Sequence, residues 1–260
     1  RDAFWRSSGC CKKLNQVSFM RSLYVPNLKE GLFNLSEDES RHAVKVLRAK
    51  VGFSYTLMNG KGGSAEGEII EITKNSCLLK VGEISVEDRP LFGLTMIVAP
   101  TKKSERFEWF LEKATEIGIE RIYPVFTSRS EFKVEKLERW NKILISAMKQ
   151  SKRKWLPELM PTEELEKTVT QVRSDVSCGF FIAHCMDGIE RHEKVHLLNA
   201  LPKGQSAVIA IGPEGDFTIE EVTMMMSHQG SEITLGDMRL RTETAALTAV
   251  TFYNAIQVKG

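Results

Sequence analysis

Ile211-Gly212-Pro213-Glu214-Gly215 stands between an apolar run, Ala207 to Ile211, and an amphipathic segment that starts at Thr218. Strand, glycine turn and helix in that order is an arrangement that holds many nucleotide-like ligands. This turn, however, carries Glu214 and Asp216, and carboxylates repel phosphate groups at a few ångströms. Gly212 and Gly215 would let the backbone approach a ligand closely or adopt positive φ. Thr218 with Glu221 reads as a capping box, which explains the helix start without any ligand. A tight βα turn with a good cap and a ligand-holding turn both stay open on these residues alone. A dinucleotide-dependent oxidoreductase is disfavoured, because the third glycine of that fingerprint is missing and acids sit in the loop.

The elements that must position this turn fall into two rhythms. From Leu23 to about Val86 they are short and strand-like: "SLYV", "FSYTLM", the turn "NGKGG", "SAEGEIIEI" and "CLLKVG". One helix interrupts them, "EDESRHAVKVLRA", opened by Ser36 with Glu39 completing a capping box and ending near Gly52. Alternation with period two and glycine-rich turns predicts a small β-barrel or curled sheet. "SVEDRPLFG" then reads as a linker. From Leu94 apolar strands ("LTMIVA", "RIYPVF", "CGFFIA", "SAVIAIG", "EITLG") alternate with helices, which predicts a parallel sheet covered on both faces. Phe107, Phe110, Leu111, Ala114 and Ile117 share one face of the first of these helices. Leu137, Trp140, Leu144, Ala147 and Met148 share a face of the second. The expected organisation is a tail over 1–22, a β-rich domain over 23–88 and an α/β domain over 89–260.

Composition sets limits on partners. The 260 residues are 42% hydrophobic and 27% charged with a net charge of +2, so nucleic-acid affinity must come from local basic patches. No apolar run approaches the roughly 18 residues of a spanning helix, and no membrane partner is expected. The 5 cysteines form no paired framework. Cys178, His184 and Cys185 match no common zinc spacing, so the thiols read as buried and free, in a reducing compartment, with no metal. The first 22 residues carry Arg1, Arg6, Lys12, Lys13 and Arg21 against Asp2 alone, with serines between them. That is the composition of a transit-peptide remnant or of a simple tail. A plastid or mitochondrion is the expected compartment, a cytoplasm the alternative.

Four blocks together carry a family resemblance: "IGPEG", "LGDMRLRTETAAL", "SERFEWFLEKATEIGIERIYPVFTSRS" and "ISAMKQSKRKWLPEL". In these the chain closely resembles the RsmE-type small-subunit ribosomal RNA uridine methyltransferases of the SPOUT superfamily. "RHAVKVLRAKVG" and "NGKGG" resemble that family's N-terminal domain, so the likeness runs over about residues 22 to 260. It implies a PUA-like RNA-binding barrel followed by an α/β domain whose last segment makes a trefoil knot. It also implies methylation of ring nitrogen 3 of one uridine in small-subunit (16S-type) rRNA by S-adenosylmethionine, and a homodimer. Acids in the turn suit that cofactor, whose sulfonium and amino group are cationic. Where the family often has a second glycine after "GPEG", this chain has Asp216, and aspartate tolerates left-handed backbone better than most residues.

The resemblance implies a cofactor pocket built from the segment after "CGFFIA", the "IGPEG" turn and "LGDMRLRTETA". Its residues here are Gly212, Glu214, Gly215, Leu235, Gly236, Leu240, Arg241 and Thr242, with Leu235 and Leu240 against adenine. Leu240 could equally be core, and Thr242 could simply cap the last helix. Uracil's imide nitrogen carries a proton at neutral pH, and an arginine beside the base lowers the cost of the anion. Arg241 is the first candidate and Arg239 the second. Glu243 is the nearest carboxylate for a general base, although an acid in a first helical turn is favoured by the helix dipole alone. Phosphate contacts would come from Arg41, His42, Lys45, Arg48, Lys102, Lys103, Lys152, Arg153 and Lys154, with Trp155 as a stacking platform or a core residue. Two alternatives remain within reach of the sequence: a SPOUT ribose 2′-O-methyltransferase and a non-catalytic rRNA-binding assembly factor. The last helix, "TETAALTAVTFYNAIQV", carries Ala245, Leu247, Ala249, Val250, Phe252, Tyr253 and Ile256 around its circumference. It should therefore bury a second face against a partner.

Overall fold

The computed structural model describes residues 22–74, 76–131, 134–175, 178–186 and 193–257. The tail expected over 1–22, with Cys10 and Cys11, lies outside them but for Ser22. The first sheet is built from β1 (Ser22–Tyr24), β2 (Gly31–Asn34), β3 (Ser54–Met58), β4 (Gly63–Ile72), β5 (Cys77–Val81) and β6 (Ser85–Val86). Its order is β1-β3-β4-β5-β2 with β6 against β4. Alternation along β4 buries Ala65, Gly67 and Ile69 and exposes Glu66, Glu68 and Ile70, as a half-buried strand requires. Leu23, Leu57, Ile69 and Leu79 meet in its core.

Helix α1 (Glu37–Lys45) crosses this sheet between β2 and β3 and is shorter than its sequence pattern suggests. It stops because Arg48 turns left-handed, at φ 52°. Only half of its expected capping box forms. Ser36 Oγ accepts from Glu39 N at 3.3 Å, but the Glu39 carboxylate instead meets Lys149 Nζ at 2.9 Å, across the junction with the second half of the chain.

The second sheet is all parallel. It contains β7 (Leu94–Val98), β8 (Arg121–Phe126), β9 (Glu158–Leu159), β10 (Glu163–Glu164), β11 (Gly179–Ala183), β12 (Val195–His196), β13 (Ala207–Ile211) and β14 (Gly230–Thr234). The order is β10-β8-β7-β13-β11-β14-β12, with β9 also on β8. Every residue of β7 and β13 is buried, because helices cover both faces. Leu94, Met96, Val98, Ala207, Ile209 and Ile211 face α2 (Ser104–Ile117), α3 (Leu137–Ser151), α5 (Leu197–Ala200) and α7 (Thr242–Gln257). Ile97, Val208 and Ala210 face α4 (Leu165–Asp175) and α6 (Ile219–Ser227). Phe107, Phe110, Leu111 and Ala114 of α2 pack inward as expected. Ile117, at the end of that helix, is 39% exposed, and Leu137 is only half-buried. Pro124 sits inside β8 without disrupting the sheet. β9 pairs with Arg121 and Ile122, β10 with Val125 and Phe126, and the gap falls where proline has no N–H to give.

The two halves meet at the segment after α3. Gly62 N donates to Lys154 O at 3.0 Å, Leu156 N to Gly60 O at 3.0 Å, and Trp155 Nε1 to Glu87 O at 3.2 Å. Gly62 has φ +88°, and a Cβ there would lie 2.4 Å from Glu87 O and 2.7 Å from Trp155 Cζ2. Trp155 is therefore part of the junction and not a free stacking surface. Gly62→Ala combines left-handed strain with a clash against backbone. It is expected to cost about 2 kcal/mol, read as a lowered urea midpoint.

Candidate active site

A cleft of about 620 Å³ opens at the carboxyl ends of β11, β13 and β14. Its first wall is the turn after β13. The capping box expected there is complete, with Glu221 N on Thr218 Oγ1 at 3.2 Å and Thr218 N on Glu221 Oε2 at 2.8 Å. Asp216 has φ 64°, the left-handed backbone its side chain tolerates. Its carboxylate accepts from Phe217 N at 2.8 Å and from Cys185 N at 2.7 Å. Glu214 Oε1 accepts from Lys102 N at 3.1 Å. Arg129 Nη1 donates to Gly215 O at 2.8 Å and to Phe217 O at 3.3 Å. The turn is thus tied to three neighbouring loops, those after β7, β8 and β11.

Neither Gly212 nor Gly215 has positive φ. A Cβ at Gly212 would lie 3.0 Å from Phe217 N, and one at Gly215 would lie 3.2 Å from Arg129 Cβ. Each permits a close approach of the chain to itself. Gly212 still borders the cleft with Glu214 and Asp216, whereas Gly215 is not among the lining residues.

The second wall is the segment from β14 to α7. Gly236, at φ 134°, donates from N to Thr234 Oγ1 at 3.2 Å. Leu235, Gly236, Leu240, Arg241 and Thr242 all line the cleft, as does Arg239. Leu240 is half-buried rather than core, and Thr242 lies inside the first turn of α7 rather than at its cap. Glu243 is not among the lining residues. It is 9% exposed, with Oε1 3.5 Å from Arg106 Nε of α2. Of the three catalytic candidates, the structure brings Arg239 and Arg241 to the cleft and gives Glu243 to a helix–helix ion pair.

The third wall, at the end of β11, holds residues that sequence reasoning passed over. His184, Cys185 and Lys194 line the cleft with Asp237 and Met238 of the opposite segment. In the sequence His184 stands out only as a metal-ligand candidate with Cys178 and Cys185. Those two cysteines lie beyond opposite ends of β11, too far apart to share an ion. Among the described residues no three His, Cys, Asp or Glu side chains form a metal site. Cys77 is buried, but Cys178 is half-buried and Cys185 exposed, so the thiols are not uniformly buried.

The basic candidates disperse. Arg41 is exposed but paired with Glu37 at 2.8 Å, and Lys102 with Glu131 at 2.5 Å. Lys45, Arg48, Lys103 and Lys152 are exposed. His42 is half-buried, and burial, then the Lys149 ammonium, holds it below the ordinary histidine range. Arg153 is withdrawn from any phosphate. Its guanidinium donates to Thr115 O at 2.7 Å and Ile119 O at 3.0 Å, capping the end of α2, and burial lowers its pKa. Lys154 lies 3.8 Å from Glu87.

Fold and cleft define a protein that holds a nucleotide-like ligand at the carboxyl ends of parallel strands, beside a small β domain. The profile of the RNA methyltransferase domain matches residues 87–254, and that of the RNA methyltransferase PUA domain matches residues 35–82. Ribosomal RNA small subunit methyltransferase E of Bacillus subtilis is 30% identical over 224 residues, covering 84% of this chain and 88% of its own. A probable rRNA-methyltransferase from Porphyromonas gingivalis superposes with a TM-score of 0.80 at 32% identity, over 91% of this chain and 98% of that one. The methyltransferase E of Neisseria gonorrhoeae, solved bound to S-adenosyl methionine, gives 0.78 at 26% identity, over 92% and 98%. The chain belongs to the RsmE-type family of ribosomal RNA small subunit methyltransferases.

Asp216→Ala leaves the Cys185 and Phe217 amides without their acceptor and puts alanine in a left-handed backbone. A loss of about 2–3 kcal/mol is expected, with faster amide hydrogen exchange at Cys185 and Phe217 than at the centre of β13.

Proposed function

We propose that the chain transfers a methyl group from S-adenosylmethionine to ring nitrogen 3 of a uridine in small-subunit, 16S-type ribosomal RNA. The observation that carries this reading is the composition of the cleft. Its volume of about 620 Å³ suits a ligand of that size. Glu214, Asp216 and Asp237 border it with Lys194, Arg239 and Arg241, a mixed lining that suits a ligand with a cationic sulfonium and amino group beside a carboxylate, and Leu235, Met238 and Leu240 offer apolar surface for adenine. When bound, the cofactor supplies an electrophilic methyl group. Arg241 and Arg239, both exposed at the cleft, would stabilise negative charge on the uracil oxygens as the imide proton passes to solvent water, and the spent cofactor would leave as neutral-sulfur S-adenosylhomocysteine. The PUA-type match over 35–82 supports RNA docking by the 23–88 domain, with the 89–260 domain carrying the chemistry and its knotted last segment. Arg41, Lys45, Arg48, Lys103 and Lys152 remain exposed for phosphates.

Small subunits lacking the modification, incubated with the protein and labelled cofactor, should yield 3-methyluridine on nucleoside mass mapping. A ribose-methylated product would overturn the reading. Arg241→Ala should lower single-turnover kcat roughly 10²-fold, with a smaller loss for Arg239→Ala.

A homodimer is part of the same proposal. On α2, Trp109 is 43% and Ile117 39% exposed. Phe252 and Ile256 are half-buried on one face of the adjacent α7 and Leu247 on another, so apolar surface on both helices is incompletely covered. Sedimentation equilibrium at micromolar concentration should give twice the chain mass, and Trp109→Glu should weaken the association. A monomer mass for the unmodified chain would sink it. The basic, acid-poor stretch before Ser22 supports a plastid or mitochondrial setting, with a cytoplasm as the alternative; fractionation of a tagged chain distinguishes them.

A further inference from the structure

His184 and Lys194 line the third wall of the cleft, and Glu232, from a neighbouring strand, backs His184. His184 follows β11, Glu232 lies in β14, and Lys194 immediately precedes β12. The His184 and Glu232 side chains are both 0% exposed, with Nε2 and Oε1 2.8 Å apart. Lys194 Nζ lies 3.1 Å from His184 Nδ1, donates to His184 O at 2.8 Å, and also donates to Met186 O. An ammonium can only donate, so Nδ1 must accept and Nε2 must carry the proton toward Glu232. That fixes one neutral tautomer. Burial, then Lys194, holds His184 below the ordinary histidine value of 6.5, against the opposing pull of Glu232 and Asp216.

Burying charge of this kind is a poor way to hold a fold together, because apolar residues of similar size usually do as well or better. The neighbouring positions Ile182 and Ile233 are indeed apolar and fully or nearly fully buried. What the polar set adds is direction. It fixes the backbone carbonyls of His184 and Met186, and between them stands Cys185, whose N–H meets the Asp216 carboxylate. The register of this wall therefore passes directly to the turn after β13.

We infer that Lys194 is a positioning residue for cofactor binding: through His184 and Glu232 it sets the β11 wall of the cleft in register with the Gly212–Phe217 turn. The inference rests on the reading of the cleft as an S-adenosylmethionine site, and the two can fail separately. Lys194→Met and Lys194→Arg are compared with the unmodified chain by calorimetric titration with S-adenosylmethionine, by amide exchange at Cys185 without ligand, and by NMR titration of the His184 ring. In Lys194→Met the dissociation constant should rise at least tenfold and Cys185 should exchange at least tenfold faster, with β13 amides unchanged. His184 should protonate at higher pH, since a cation that disfavours its charged form is gone while Glu232 and Asp216 stay. Lys194→Arg, which keeps charge and donors, should recover part of both effects. Unchanged affinity and unchanged Cys185 exchange in folded Lys194→Met would overturn the inference, as would loss of β13 protection in both variants, which is a global effect. If the unmodified chain binds no S-adenosylmethionine, the cofactor reading fails, and the Cys185 exchange still decides whether Lys194 sets this wall.

Discussion

The Asp216 carboxylate, with one oxygen on Phe217 N and the other on Cys185 N, is the contact on which the cleft depends. A parallel sheet delivers its strands to one edge, where each chain must turn back and leave backbone groups without ladder partners. After β13 the chain turns into α6 within a few residues. A side chain that satisfies its own turn and the next loop at once solves two such problems together. Glu214 and Arg129 repeat the device in the other directions, on Lys102 N and on the Gly215 and Phe217 carbonyls. The turn's geometry is therefore set by loops from three other strands, and no local rule about glycine turns accounts for it.

The opposite end of the sheet serves the other half of the chain. Gly60, Gly62, Glu87 and Trp155 interlock there, and Lys149 meets Glu39 across the junction. Arg153, next to Trp155, closes the carboxyl end of α2. The junction with the β-rich half and the cleft thus lie at opposite ends of the parallel strands. The buried core around β7 and β13 lies between them.

Much of this architecture is legible in the residues themselves. Period-two burial along β4, the fully buried β7 and β13, and the inward stripes of α2 and α3 follow from pattern alone. The two-residue strands β9, β10 and β12 are too short to carry any period, and α4 has only three fully buried apolar residues, Leu165, Val169 and Val172. Side chains with two possible partners are less legible. Glu39 is correctly spaced for a capping box yet reaches Lys149, and the basic run at Lys152–Lys154 looks like one patch although its middle residue faces inward. His184 and Lys194 are ten positions apart with nothing in their spacing to join them, because strand pairing alone brings them together.

What remains available for chemistry can be read from how the arginines are committed. Arg129 and Arg153 donate to backbone carbonyls, and Arg106, Arg121 and Arg139 face carboxylates. Arg239 and Arg241 have no hydrogen-bond or ion-pair partner among the described residues, and both line the cleft. Folding gains little from either of them, and Met238 beside Arg239 is 82% exposed. A guanidinium placed beside a concave site without a partner keeps its charge for whatever anion forms there. The first wall is held by the fold and the second presents uncommitted charge. Transfer of a cationic cofactor's methyl group to ribosomal RNA is served by both, one fixed wall beside the donor and one charged wall beside the acceptor.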